Sequence, residues 1–122
     1  MTIRVLLVDD QASVREGLRM RLALEPDMKV VGEANDGVEA LRWARNLDPD
    51  VVVMDVEMPR MDGFASAEAL RLLTPRSLVV FLTIHDSRYV RERAREAGAA
   101  AVVVKQAGEG ALLAAIRAAA NS

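Results

Sequence analysis

"VVVMDVEMPRMDG", residues 51–63, decides how this chain folds. Three valines and a methionine run directly into Asp55, and a second acid, Glu57, follows two residues later. An unbroken apolar run of this kind reads as a strand buried on both faces. An ionised, unpaired carboxylate inside such a strand would cost several kcal/mol or more, roughly the penalty for burying any isolated charge. Asp55 therefore belongs where the strand ends and water or a cation begins. Met58-Pro59 and Asp62-Gly63 then read as loop, because proline cannot extend a central strand and Asp-Gly favours a turn.

Outward from this stretch, four more short apolar runs recur: 3–8 (IRVLLV), 29–34 (KVVGEA), 78–82 (LVVFL) and 100–104 (AAVVV). Helical patterns separate them. Val14, Leu18 and Leu22 share one face of the first, for which Ser13 and Glu16 form a capping-box pattern, with Pro26 at or beyond its end. Asp36 and Glu39 open the second, and Leu41, Ala44 and Leu47 give its buried face. The third spans 64–73, the fourth runs from near Ser87 to Gly98, and the last, rich in alanine, spans 109–120. The result is a (βα)5 chain of the α/β class. Strict alternation implies an open, doubly wound parallel sheet with helices on both faces. A closed eight-unit barrel would need about twice the length.

Composition bounds the function. A chain of 122 residues makes one domain, residues 1–122, and 52% apolar content excludes disorder. Sixteen basic and eighteen acidic side chains give a net charge of -2, without general attraction to nucleic-acid phosphates. Cysteine is absent, which excludes disulfides and thiolate metal sites. The N-terminus lacks a signal-peptide pattern, and no apolar run approaches the roughly 20 residues that span a bilayer. These features predict a cytoplasmic chain without membrane contact.

In an open parallel sheet, ligands bind beyond the carboxyl ends of the strands, where the strand order reverses. The residues at those ends are Asp9 and Asp10 after the first strand, Asp55 after the third, Thr83 after the fourth and Lys105 after the fifth. Like charges 4 Å apart repel by about 4 kcal/mol per pair at an effective dielectric near 20, so three carboxylates there take up protons or hold a cation. Hard oxygen donors suit Mg2+. Lys105 supplies a mobile positive charge for phosphate oxygens and Thr83 a neutral donor. Asp55, between metal and lysine, is placed to act as a nucleophile that forms an acyl phosphate. Singly, each residue has an ordinary structural explanation as a cap or turn former; together, on one sheet edge, they form a site.

The motifs "LLVDD", "DVEMPRMDG", "FLT" and "VVVK" occur in the order found in the receiver domains of bacterial two-component response regulators, which the chain resembles over its whole length. "LTIHD" and "GAAAVVVK" are most similar to the LuxR/NarL type. The resemblance implies the flavodoxin-like strand order 2-1-3-4-5 and a phosphoryl group transferred to Asp55 from a sensor histidine kinase. It implies Mg2+ held directly by Asp10, mostly through water by Asp9, and also by Asp55 and the Glu57 backbone carbonyl. Thr83 and Lys105 would bind the phosphoryl oxygens. It further implies homodimerisation on phosphorylation, and DNA contact only through an output domain outside this chain. Glu57, Ile84 and His85 then flank access to the phosphoryl group, with the branched Ile84 expected to shield it. The chain departs from the family pattern at Val102, where an aromatic switch residue is usual, and at Gln106, where proline commonly follows the lysine.

Two other functions use similar chemistry. A stand-alone receiver would pass its phosphoryl group along a phosphorelay. A haloacid-dehalogenase-like phosphatase would place its nucleophile at the end of the first strand with an acid two residues later, where this chain has Asp9-Asp10-Gln11. His85-Asp86 lacks a second metal-ligating partner in the pattern. Arg88, Arg91 and Arg95, interleaved with Glu92 and Glu96, read as a salt-bridged helix face. Trp43 reads as packing.

Overall fold

Strand β3 (Val51–Asp55) is buried over its first four residues and only half-buried at Asp55, so burial ends at the acid. The computed structural model describes residues 1–58 and 61–121; the turn expected at Pro59 falls outside them. Around β3 lie β1 (Ile3–Val8), β2 (Met28–Ala34), β4 (Leu78–Thr83) and β5 (Ala101–Val104), alternating with α1 (Ala12–Leu22), α2 (Gly37–Leu47), α3 (Gly63–Leu73), α4 (Arg88–Glu96) and α5 (Glu109–Ala120). All pairings are parallel, in the order β2-β1-β3-β4-β5. This is the flavodoxin-like sheet.

The central strands are apolar throughout because both of their faces are covered. Leu6 and Val8, Val52 and Met54, and Val79 and Phe81 pack with Ala40 and Ala44 of α2, Phe64 and Leu70 of α3, and Val90 of α4. Their alternate neighbours, Val5 and Leu7, Val51 and Val53, and Val80 and Leu82, pack with Leu22 of α1 and Leu112, Leu113 and Ile116 of α5. A period of two thus feeds two cores, and each fully buried Val or Leu contributes roughly 1.5–3 kcal/mol. No helix among the described residues is long and apolar enough to cross a membrane.

Caps explain most helix boundaries. The Asp36, Asp62 and Ser87 side chains accept hydrogen bonds from the backbone N–H of Glu39, Ala65 and Val90 at 2.8, 2.8 and 3.1 Å. Gly98 follows α4 with φ +84°, the left-handed conformation expected of it. The capping box expected at Ser13 and Glu16 does not form. Helix α1 starts at Ala12, after Gln11 with no side-chain cap, so Ser13 is already helical. The helix thus starts two residues before the position that the local pattern implied. Trp43, expected to pack, is instead 40% exposed.

Register brings the strand ends together. Val8 pairs with Met54, so Asp9 and Asp55 follow one residue later on adjacent strands; Thr83 pairs with Val104, immediately before Lys105. Behind Asp55 the backbone closes tightly, with Gly63 N donating to the Val56 carbonyl at 2.9 Å. A Cβ on Gly63 would sit 2.6 Å from the Asp55 carbonyl oxygen and 3.0 Å from Val56 Cα. Gly63→Ala is therefore expected to destabilise the fold by about 1–3 kcal/mol, as overpacking does. Urea unfolding checks this, and equal midpoints would show that the loop yields without cost.

Candidate functional site

Beyond the carboxyl ends of β1 and β3, Asp9, Asp10 and Asp55 each offer a carboxylate oxygen, and these atoms lie within 4.8 Å of one another. The sheet order reverses between these two strands, since β2 lies beyond β1 and β4 beyond β3. Their surroundings differ. Asp9 is buried at 4% exposure, Asp55 is half-buried and Asp10 is exposed. Lys105 approaches from β5, with Nζ 3.5 Å from Asp55 Oδ2 and 3.9 Å from Asp9 Oδ2.

Backbone N–H groups fix the carboxylates. Gln11 N donates to Asp9 Oδ1 at 2.9 Å, and Glu57 N donates to Asp55 Oδ1 at 3.1 Å. Thr83, 1% exposed, accepts from His85 N at 3.0 Å through Oγ1, and its hydroxyl proton is left to donate elsewhere. Asp10, Gln11, Asp55, Glu57, Met58, Ile84, His85 and Lys105 line a cleft of about 460 Å³. All of the residues expected at the site from sequence are at this sheet edge. Among the described residues no peptide bond is cis, so Lys105-Gln106 is trans, and Gln106 Nε2 lies 3.5 Å from the Ile84 carbonyl.

Burial pushes the Asp9 carboxyl above the usual carboxylate range; the negative charges of Asp55 and Asp10 add to this, while the Gln11 N–H and the Lys105 ammonium oppose it. A clustered set of hard oxygen donors, one of them held against its preference for water, fits a divalent cation such as magnesium. Sequence reading missed the packing role of Gly63 and the anchoring role of Gln11. Asp-Gly signalled only a turn, and nothing in the local pattern marks a glutamine whose N–H faces an aspartate. It also missed Arg15, whose guanidinium donates to the Asp9 carbonyl and pairs with Glu33 at 3.3 Å. The arginine face of α4 is salt-bridged as expected, through Arg88–Glu92 at 3.0 Å and Arg91–Asp86 at 2.7 Å.

The family model of the response regulator receiver domain matches residues 5–117. The chain belongs to that family. The receiver is 44% identical over 120 residues to the uncharacterized transcriptional regulatory protein YxjL of Bacillus subtilis (strain 168), covering 98% of this chain and 55% of that one. Among solved structures, it is similar to a LuxR-family two-component response regulator from Aurantimonas sp. SI85-9A1, with TM-score 0.95, 36% identity and coverage of 99% and 86%. It is also similar to the signal receiver domain of the putative response regulator NarL from Mycobacterium tuberculosis, with TM-score 0.94, 33% identity and coverage of 99% and 98%. The receiver spans about half the length, or less, of the curated relatives it matches.

A raised folded pKa for Asp9 contributes stability that is full below its unfolded pKa and is lost as pH rises through the folded value. In metal-free buffer, Asp9→Asn is therefore expected to stabilise the receiver at neutral pH, because it removes a charge that burial disfavours. The advantage should shrink as pH falls through the carboxylate range. Urea unfolding of both proteins with chelator, from pH 4 to pH 7.5, measures it. An advantage that is flat or grows toward low pH would refute the burial argument.

Proposed function

We propose that this receiver is a phosphorylation-activated switch in the cytoplasm that accepts a phosphoryl group on Asp55 from a sensor histidine kinase. One observation carries the reading: of the acids near the single ammonium, Asp55 ends the central strand, faces Lys105 at 3.5 Å and opens into the cleft. Asp9 is closer to the interior and buried, so its oxygens are poor at meeting a donor. In transfer, an Asp55 Oδ forms a bond to phosphorus, while the phosphorus–nitrogen bond of the donor breaks and its electron pair returns to the imidazole.

Asp9, Asp10, Asp55 and the Glu57 carbonyl would hold magnesium, which when bound supplies charge neutralisation for phosphoryl oxygens. The Lys105 ammonium is within reach of oxygens added at Asp55, and its attraction grows when the aspartate gains phosphate charge. The Thr83 hydroxyl, anchored by His85 N, has its proton available to those oxygens. The family match speaks against the phosphatase alternative.

The output is transcriptional control through a DNA-binding domain outside these residues. Its support is the partial coverage of relatives named as transcriptional regulators, together with the LuxR-family neighbour. Phosphorylation would also favour a homodimer through helical faces; light scattering with and without beryllofluoride, across concentrations, tests this, and identical masses would argue for a monomeric switch. Acetyl phosphate with magnesium should add one phosphoryl group to the wild type and none to Asp55→Asn, as read by intact mass. Equal labelling of the variant would remove Asp55 from its role.

A further inference from the structure

The turn that carries Asp9 and Asp10 is held from behind by an arginine. At the end of β1 the Asp9 N–H donates to the Ala34 carbonyl of β2 at 3.1 Å, and the Asp9 carboxylate accepts from Gln11 N at 2.9 Å. The first N–H groups of α1, on Val14 and Arg15, go to the Gln11 carbonyl at 3.1 and 3.2 Å. The Asp9 carbonyl is met instead by a side chain: Arg15 Nη1 donates to it. Arg15 Nε pairs at 3.3 Å with Oε1 of Glu33, the residue before Ala34 on β2. The Arg15 side chain is only 17% exposed, so this bridge from β2 to the turn is largely shielded from water. Arg19 Nη1 reaches the other oxygen of Glu33 at 3.7 Å, but its side chain is 51% exposed.

Asp10 has no such support of its own. Its exposed carboxylate takes part in no hydrogen bond or ion pair among the described residues, although one of its oxygens lies within 4.8 Å of oxygens of Asp9 and Asp55. The backbone therefore sets where Asp10 points. The Asp9 carbonyl and the Asp10 N–H belong to one planar peptide, so whatever grips the carbonyl also orients Asp10. We propose that Arg15, seated on Glu33, is a positioning residue that fixes the Asp9–Asp10 peptide plane and so presents the Asp10 carboxylate to a divalent cation. This rests on the acidic cluster being a cation site, as proposed above. Arg15 acts through Asp10, not on the cation itself.

The chemistry of the side chain suits that task. A guanidinium is a rigid fork of donors that can hold a carbonyl and a carboxylate at once, which a lysine ammonium does less well. Glu33 offsets its charge, so the carbonyl is gripped without a bare positive group beside the acids. The sign of the effect separates positioning from electrostatics. A positive charge repels a nearby cation, so by charge alone the loss of Arg15 would tighten metal binding. If Arg15 orients Asp10, its loss weakens binding, as happens when a partner behind a metal ligand is removed.

Wild type, Arg15→Ala, Arg15→Lys and Arg19→Ala are titrated with Mg2+ by calorimetry, and each is unfolded in urea with chelator to give its stability without metal. Arg15→Ala is expected to bind Mg2+ about tenfold more weakly, the lower end of the usual cost of losing such a partner. Arg15→Lys, which keeps the charge and the stem but not the fork, is expected to fall between. Arg19→Ala takes a charge from the same glutamate without touching the Asp9 carbonyl, and should stay within about twofold of wild type, as an exposed pair does. At saturating Mg2+, Arg15→Ala should take label from acetyl phosphate at the wild-type rate, because bound metal then draws Asp10 into place. Unchanged or tighter Mg2+ binding in Arg15→Ala, an equal loss in Arg19→Ala, or labelling that stays slow at saturation overturns the positioning role, whatever the urea midpoints show. If Arg15→Ala does not fold, wild-type binding in Arg15→Lys overturns it. A wild type that binds no Mg2+ would instead overturn the cation site beneath the proposal, and one that binds Mg2+ but takes no label on Asp55 would overturn only the phosphoacceptor.

Discussion

Negative charge gathered at the end of an apolar sheet is the constraint to which the rest of the molecule answers. Three carboxylate oxygens within 4.8 Å, faced by one ammonium at 3.5 and 3.9 Å, leave an excess of negative charge. At this range like charges repel by about 4 kcal/mol per pair in a medium of effective dielectric near 20. Two apolar cores hold the strand ends in register against that repulsion, and Asp9 is reluctant to ionise chiefly because it is buried, with the neighbouring acids adding to the effect. A cation, or a proton, relieves it. The chemistry of the site follows from that excess.

Anchoring of the loops follows the same logic. Carboxylates and a hydroxyl beneath the cleft take up the N–H groups of Gln11, Glu57 and His85, each two residues beyond its acceptor. These local bonds start each loop in a defined direction without further secondary structure. Gly63 lets the chain pass close behind Asp55, where any side chain would meet backbone. The loops that meet through Glu57 and His85 are therefore directed by the site floor itself.

The usual aromatic switch position is filled by Val102, partly buried against the core on the α4 side of the sheet. A valine there has no ring to swing between an outward and an inward position. The Thr83–His85 bond is a direct link from the buried hydroxyl to the loop that leads into α4, capped by Ser87. On the opposite face, Arg117 of α5 binds Asp27 and Glu25 at 2.9 and 2.5 Å, and Arg21 of α1 joins Glu25 and Glu109 at 2.9 and 2.6 Å. The α1–α5 side is thus cross-linked by charge between elements, whereas the α4 entry is held by the Thr83 and Ser87 hydrogen bonds and the local Arg91–Asp86 ion pair.

From sequence alone, the fold class, the strand and helix sequence and the residues at the sheet edge were legible. Apolar runs doubly covered by helices can form only a parallel layered sheet, and a charge ending such a run must sit at its rim. Asp36, Ser87 and Gly98 declared their helix ends because their chemistry acts within three residues. Ser13 and Glu16 misled for the same reason: a local pattern cannot report where the chain leaving β1 turns helical, and α1 starts at Ala12. Trp43 misled because apolarity alone does not say how far neighbouring elements cover a side chain, and it is 40% exposed. Tertiary structure alone decided the burial of Asp9, the shared reach of Lys105 to two acids, the contact of Gly63 with the Asp55 backbone and the meeting of Glu57 with His85. Each of these joins residues far apart in the chain or depends on how closely two loops approach, and distance in space is set by packing, not by spacing along the sequence.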